Sequence, residues 1–123
     1  MDALNELKVW TRSKTLAVAI YKTFSNCKDW GFKDQITRAA VSIPSNIAEG
    51  YERGAKREFA YYLKVAKGSC AEVRTQLQIG EEIGFIDHGI SNELQSESLQ
   101  ISKMLQGLIR HCQRNTASQT SRL

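Results

Sequence analysis

The chain has 123 residues, 41% of them hydrophobic and 24% charged, with a formal net charge of +4. That is one ordinary domain, able to bury a single core without disulfides or metal, and mildly basic, which permits anionic partners without demanding them. No apolar run approaches the roughly 20 residues of a membrane span, MDALNELK lacks signal-peptide features, and Cys27, Cys70 and Cys112 form no C-x-x-C pair, so a cytoplasmic, reduced protein without zinc or disulfides is expected.

No stretch alternates apolar and polar residues long enough for a strand, and glycines and polar breaks leave four helical stretches. The first runs from Asn5 to Phe24, with Trp10, Ala17, Tyr21 and Phe24 on one face and Val9, Leu16 and Ile20 beside it. A loop, Lys28 to Gly31, precedes the second, Lys33 to Glu52. There Phe32, Ile36, Ala39, Ala40, Ile43, Ile47 and Tyr51 recur at steps of three and four. Pro44, the sole proline, stands inside this helix. It cannot donate to the Ala40 carbonyl and crowds it, which costs roughly 3 kcal/mol in a helix interior. Either tertiary packing holds a helix kinked at Pro44, or the helix breaks and restarts with Asn46 and Glu49 as a capping box.

Arg53-Gly54-Ala55 is a short turn, which makes helices two and three antiparallel neighbours. Helix three, Lys56 to Ile83, carries a seam of Phe59, Leu63, Ala66, Cys70, Val73, Leu77 and Gly80 at alternating steps of four and three. A second stripe follows Tyr62, Val65, Ser69, Glu72, Gln76, Ile79 and Ile83. It either completes a wide core or meets another subunit. Gly84 closes the helix, and Ser91 or Asn92 is placed to cap helix four, where Leu94, Ser98, Ile101, Leu105, Leu108 and Cys112 repeat. From Gln113 the chain is polar, a disordered tail by expectation. The predicted fold is all-α: an antiparallel up-down-up-down four-helix bundle over residues 1–112, its second helix kinked at Pro44, with a tail over residues 113–123.

No catalytic constellation is present. His88 and His111 are isolated, no G-K-[ST] follows the glycines, and Ser42, Ser45 and Ser69 have no histidine nearby in sequence. No enzyme activity, cofactor or metal is expected. Glu72 and Gln76, where apolar residues would be the default, read first as a hydrogen bond fixing helix register and second as a site. Gly68-Ser69 reads as a close helix crossing. On a wheel of about 100° per residue, Arg53, Lys56, Arg57, Lys64, Lys67 and Arg74 share about a quarter-turn. They lie opposite the midpoint of the two apolar stripes and are predicted to face solvent, as an ordinary charged face or as a phosphate-binding stripe for RNA. No RNA-binding motif and no interleaved aromatic residue accompanies them.

Several separated blocks run in order over most of the chain: Leu7-Lys8-Val9-Trp10, AAVSIPSNIAEG (Ala39 to Gly50), Glu58-Phe59 with Leu63, Ala66-Lys67-Gly68-Ser69, Thr75-Gln76-Leu77, and Ile101 to Leu105. In these the sequence resembles the four-helix-bundle proteins encoded by intervening sequences of bacterial 23S rRNA genes. A relative of that family, the accessory variability determinant of diversity-generating retroelements, shares the bundle and works with a reverse transcriptase and RNA. The resemblance implies a homo-oligomer, a pentamer packed through the bundle sides, for which Tyr62, Val65, Glu72, Gln76 and Ile79 are candidate contact or register residues. Arg74 stands where the family often has glutamate, so a shared negative charge there is not carried over. Three roles follow: association with structured RNA through the basic residues, a scaffold or accessory factor for a polymerase or reverse transcriptase, or an oligomer with no nucleic-acid partner.

Overall fold

Each helix buries a face spaced at three and four. Ile20 and Phe24 from the first helical segment, Ile36, Ile43 and Ile47 from the second, Leu63 and Leu77 from the third, and Ile101 and Leu105 from the fourth are the large, fully buried side chains of one core. In this computed structural model residues 3–121 are described, with Asn5 and residues 115–121 described by their backbone alone. A short 3-10 turn (Ala3–Glu6) leads into α1 (Lys8–Thr23), α2 (Trp30–Glu52), α3 (Lys56–Glu82) and α4 (His88–Ser121). Each helix packs on the next and α4 packs back on α1. The result is the expected all-α, four-helix bundle, with no strand among the described residues.

The boundaries differ from the sequence expectations for local reasons. α1 starts at Lys8, because the residues before it form the 3-10 turn that ends with the Leu7 N–H donating to the Leu4 carbonyl at 3.0 Å. Tyr21 does not join the buried face of α1; it is half exposed, while Val9, Ser13, Leu16, Ala17 and Ile20 are buried. α2 begins at Trp30 because Asp29 Oδ1 accepts from the Phe32 N–H at 3.0 Å, an N-cap three residues earlier than expected. It continues unbroken through Pro44. The capping-box restart is not made: Asn46 Nδ2 instead donates to the Ser42 carbonyl at 2.8 Å and to Ser42 Oγ at 2.9 Å.

α3 ends in a Schellman motif. Gly84 takes φ +84, Phe85 N–H donates to Gly80 O at 2.8 Å, and Gly84 N–H donates to Glu81 O at 3.2 Å. Asp87 then caps α4, its Oδ2 accepting from the Ile90 N–H at 3.3 Å. Ser91 and Asn92 therefore lie inside α4 rather than at its cap. The helix also runs through the expected tail from Gln113 to Ser121, where no glycine or proline interrupts it. Residues 122–123 lie outside the described residues.

Two glycines set the distances between helices. A Cβ on Gly50 of α2 would meet Tyr62 Cβ at 2.7 Å and the Phe59 Cα at 3.3 Å on α3. A Cβ on Gly80 would meet Phe32 Cζ at 2.7 Å. Phe32 stacks edge-on against Phe24 and Phe85, with centroids 5.5 and 5.2 Å away, and closes that end of the bundle. Between α1 and α4, Arg12 makes a bidentate pair with Glu97, with Nε to Oε2 at 2.9 Å.

Candidate nucleic-acid interface

The direction of the core seen from α3 decides where its cations point. Leu63, Ala66, Cys70, Val73, Leu77 and Gly80 are buried, so the core lies behind the first seam alone. It does not lie midway between the two apolar stripes, and the cation arc is correspondingly turned toward α4. Lys56, Arg57 and Lys64 are exposed as expected. Lys67 and Arg74 are not: both are half-buried and lean onto α4. Lys67 Nζ donates to Gln106 Oε1 at 2.6 Å. Arg74 Nη1 donates to Ser98 Oγ at 3.3 Å, and that hydroxyl donates to the Cys70 carbonyl at 3.0 Å.

Lys64, Lys67 and Arg74 thereby wall an open trough of about 480 Å³ between α3 and α4. Gly68, Ala71 and Ser102 line it with small side chains, Ile109 adds an apolar one, and Gln106 and Gln113 supply further polar groups. α4 adds exposed Lys103, Arg110 and Arg114. The first two lie three and four residues either side of Gln106, on the same helix face. Sequence spacing on α3 alone missed them, although their signal was present: no acidic residue follows Glu97. Arg53 sits at the α2–α3 turn, bonded to Glu49 at 3.2 Å and Glu58 at 3.4 Å. Hydrogen bonds to Glu58 and then Glu49 push its pKa up. Its charge is thus partly compensated, unlike those at the trough.

The second stripe of α3 stays outside the core. Tyr62 is half-buried and Ser69 buried, but Val65 is 37%, Ile79 47% and Ile83 54% exposed. Glu72 is exposed, at the α2–α3 groove, and makes no buried register bond. The buried polar link falls one turn away, where Ser69 Oγ donates to Ser42 Oγ at 2.9 Å. Gln76 Oε1 is buried with no hydrogen-bond partner within the described chain. Gly68 does not make the expected close crossing; nothing lies within 4 Å of a Cβ built there. Gln35, Arg38, Ser42, Glu72 and Gln76 line a second groove of about 290 Å³ between α2 and α3.

Burial pushes the Cys70 thiol up to about 11 and raises that of Cys112, so neither thiol is activated as a nucleophile. The described residues contain no group of three or more His, Cys, Asp or Glu suited to a metal ion, and no helix among them is long and apolar enough to cross a membrane.

Residues 5–107 match the family described as 23S rRNA-intervening sequence protein. The chain belongs to that family. The bundle is also similar to a crystal structure from Bacteroides thetaiotaomicron VPI-5482, described as a protein of unknown function from the S23 ribosomal protein family. The TM-score is 0.77 and the identity 27%, over 82% of this chain and 97% of the other. No curated protein matches the sequence.

Proposed function

We propose that this chain is a non-enzymatic, self-associating bundle that holds structured RNA through phosphate contacts at the α3–α4 trough. The observation that carries this reading is the convergence of Lys64, Lys67 and Arg74 on one concavity beside the acid-free half of α4. Arg74 and Lys67 are positioned by neutral partners, Ser98 and Gln106. Their charges remain available to an anion. From Lys56 to Arg74 the cations span roughly 27 Å of helix, suited to several phosphates in series rather than to one small anion. The family takes its name from sequences intervening in 23S rRNA, which makes rRNA fragments the first RNA to try.

Self-association draws support from the outer ridge of α3. Val65 lies toward one end of that ridge and Ile79 and Ile83 toward the other, all three exposed, with Ser69, Glu72 and Gln76 between them. A second copy would cover these exposed apolar residues. The family resemblance points to five copies, a number that light scattering counts directly.

The test is binding of the nuclease-treated protein to structured 23S rRNA fragments at low and moderate salt, with the mass recorded in the same buffers. Saturable binding that weakens with salt is expected. The Lys64→Glu/Lys67→Glu/Arg74→Glu variant should lose at least about 100-fold in affinity while keeping its helicity and mass, and lose roughly two units of salt slope. Unchanged affinity in that variant removes the trough from the reading. An intact oligomer that binds no RNA points to a protein-interaction scaffold instead.

A further inference from the structure

Tyr61 breaks the expectation that no aromatic residue interleaves with the α3 cations. It follows Arg57 by four residues and precedes Lys64 by three, so on a helix it is the surface neighbour of both. Its side chain is 61% exposed. The ring is nevertheless held: it meets Tyr62 edge-on, with centroids 5.1 Å apart at 88°. Tyr62 in turn lies under the Arg53 guanidinium, 5.0 Å from its centroid, and against the Gly50 backbone. A large aromatic ring that is buttressed yet open, with a free cation on either side, is unusual on a solvated helix face. Hydrophobic burial favours covering such a ring, and the flanking charges disfavour covering it with an ordinary apolar protein surface.

Resting on the RNA reading above, we propose that Tyr61 is a stacking platform for an unpaired base, with the flanking phosphates on Arg57 and Lys64, so that the site takes single-stranded segments of a structured RNA rather than its duplexes. The chemistry matches at the scale of one nucleotide. One helical turn, roughly 5 Å, separates the ring from the Lys64 cation that leads into the trough. Downstream, Gly68 and Ala71 leave the surface low, and a sugar–phosphate strand can lie along it from Lys64 toward Arg74. In a duplex both base faces are already stacked, which leaves Tyr61 nothing to take and places a bulky ring against the backbone. Stacking of this kind tolerates any base, because every base has a π-face.

The experiment compares fluorescein-labelled octauridylate with a labelled blunt hairpin of similar length, using wild type, Tyr61→Ala, Tyr61→Phe and the triple trough variant. Tyr61→Ala should weaken octauridylate binding roughly tenfold, with hairpin binding and the salt slope unchanged, because a stacking contact and not a phosphate contact is lost. Tyr61→Phe should bind within about twofold of wild type, since the ring is retained. Wild-type binding by Tyr61→Ala, with binding lost in the trough variant, overturns the stacking platform and leaves the phosphate reading standing. Wild-type binding by both variants overturns both. Dissociation of the oligomer in Tyr61→Ala, seen by light scattering, assigns the ring to a subunit contact and also overturns the proposal.

Discussion

The two flanks of α3 are built from the same helix and differ in almost every physical respect. Toward α2 the contact is close at one end, where Gly50 lets the Tyr62 and Phe59 segments approach, and further along Ser69, Ser42 and Asn46 pass hydrogen bonds beside an open polar groove. Its outer margin carries exposed Val65 at one end and Ile79 and Ile83 at the other, with Glu72 and the orphan acceptor Gln76 Oε1 between. Toward α4 the contact opens into a trough whose cations are held by hydroxyl and amide partners instead of carboxylates. A flank closed by small residues and edged with apolar ones is suited to another copy of the chain. A flank walled by uncompensated cations is suited to an anion. One helix thus carries a candidate assembly margin and a candidate phosphate flank, with Tyr61, four residues from Val65, at the border between them.

The largest way to break that contrast is to fill the close crossing at Gly50. Gly50→Ala would place a methyl 2.7 Å from Tyr62 Cβ and 3.3 Å from the Phe59 backbone, which cannot swing away. The gain in helix propensity of up to about 1 kcal/mol is outweighed by overpacking, and a net loss of about 2 kcal/mol is expected from urea unfolding. If Gly50→Ala is as stable as wild type, the close crossing does not set the α2–α3 distance. Next in size is the ridge. Val65→Glu with Ile79→Glu alters two residues already more than a third exposed, so circular dichroism should barely change. Light scattering should show smaller particles. A double variant of wild-type mass would leave the ridge without a role in assembly.

A third substitution sharpens the contrast from the α4 side. At Gly68 nothing lies within 4 Å of an added Cβ, so Gly68→Ala should stabilise the helix by up to about 1 kcal/mol. It also raises the surface beside the trough. A higher melting temperature together with weaker RNA binding is the expected pair of results. Stabilisation with unchanged binding would show that the low ground at Gly68 is not used.

Periodicity made the bundle legible, because Leu63, Cys70 and Leu77 or Ile36, Ile43 and Ile47 can share a face only on a helix. The helix ends were less so. Asp29 and Asp87 are caps only because the chain turns there, and Ser91 and Asn92 are equally plausible cap residues by type. The basic residues were visible individually, but their direction was not. A wheel drawn from two apolar stripes assigns equal weight to a stripe that packs and one that does not, and this error sent Lys67 and Arg74 outward. Lys103, Arg110 and Arg114 join the same surface through a helix contact, which spacing within α3 cannot express. Tyr61 was hidden differently: it was in plain view at i+4 from Arg57, but its relevance depends on the buttress from Tyr62 and Arg53.

The smallest expected effect concerns the corner that joins the two walls of the trough. His88 Nδ1 lies 2.8 Å from Glu81 Oε2 across the α3–α4 loop. That hydrogen bond raises the His88 pKa above its ordinary 6.5, with Asp87 adding to it, and lowers that of Glu81 below 4.5. For His88 the stabilisation is full below pH 6.5 and lost as pH rises through the raised value. For Glu81 it is full above pH 4.5 and lost as pH falls through the lowered one. Both are charged together between about pH 4.5 and 6.5, so the corner is tightest there. His88 is largely exposed and sits in the first turn of α4, where the helix dipole opposes a cation. The contribution is therefore slight and weakens with salt. The melting temperature should show a shallow rise in that window at low salt, flattened in His88→Ala, while the Gly50 contact on the other flank keeps its effect at every pH. A pH profile identical in wild type and His88→Ala would mean that the Schellman motif and the Asp87 cap hold the corner without the ion pair.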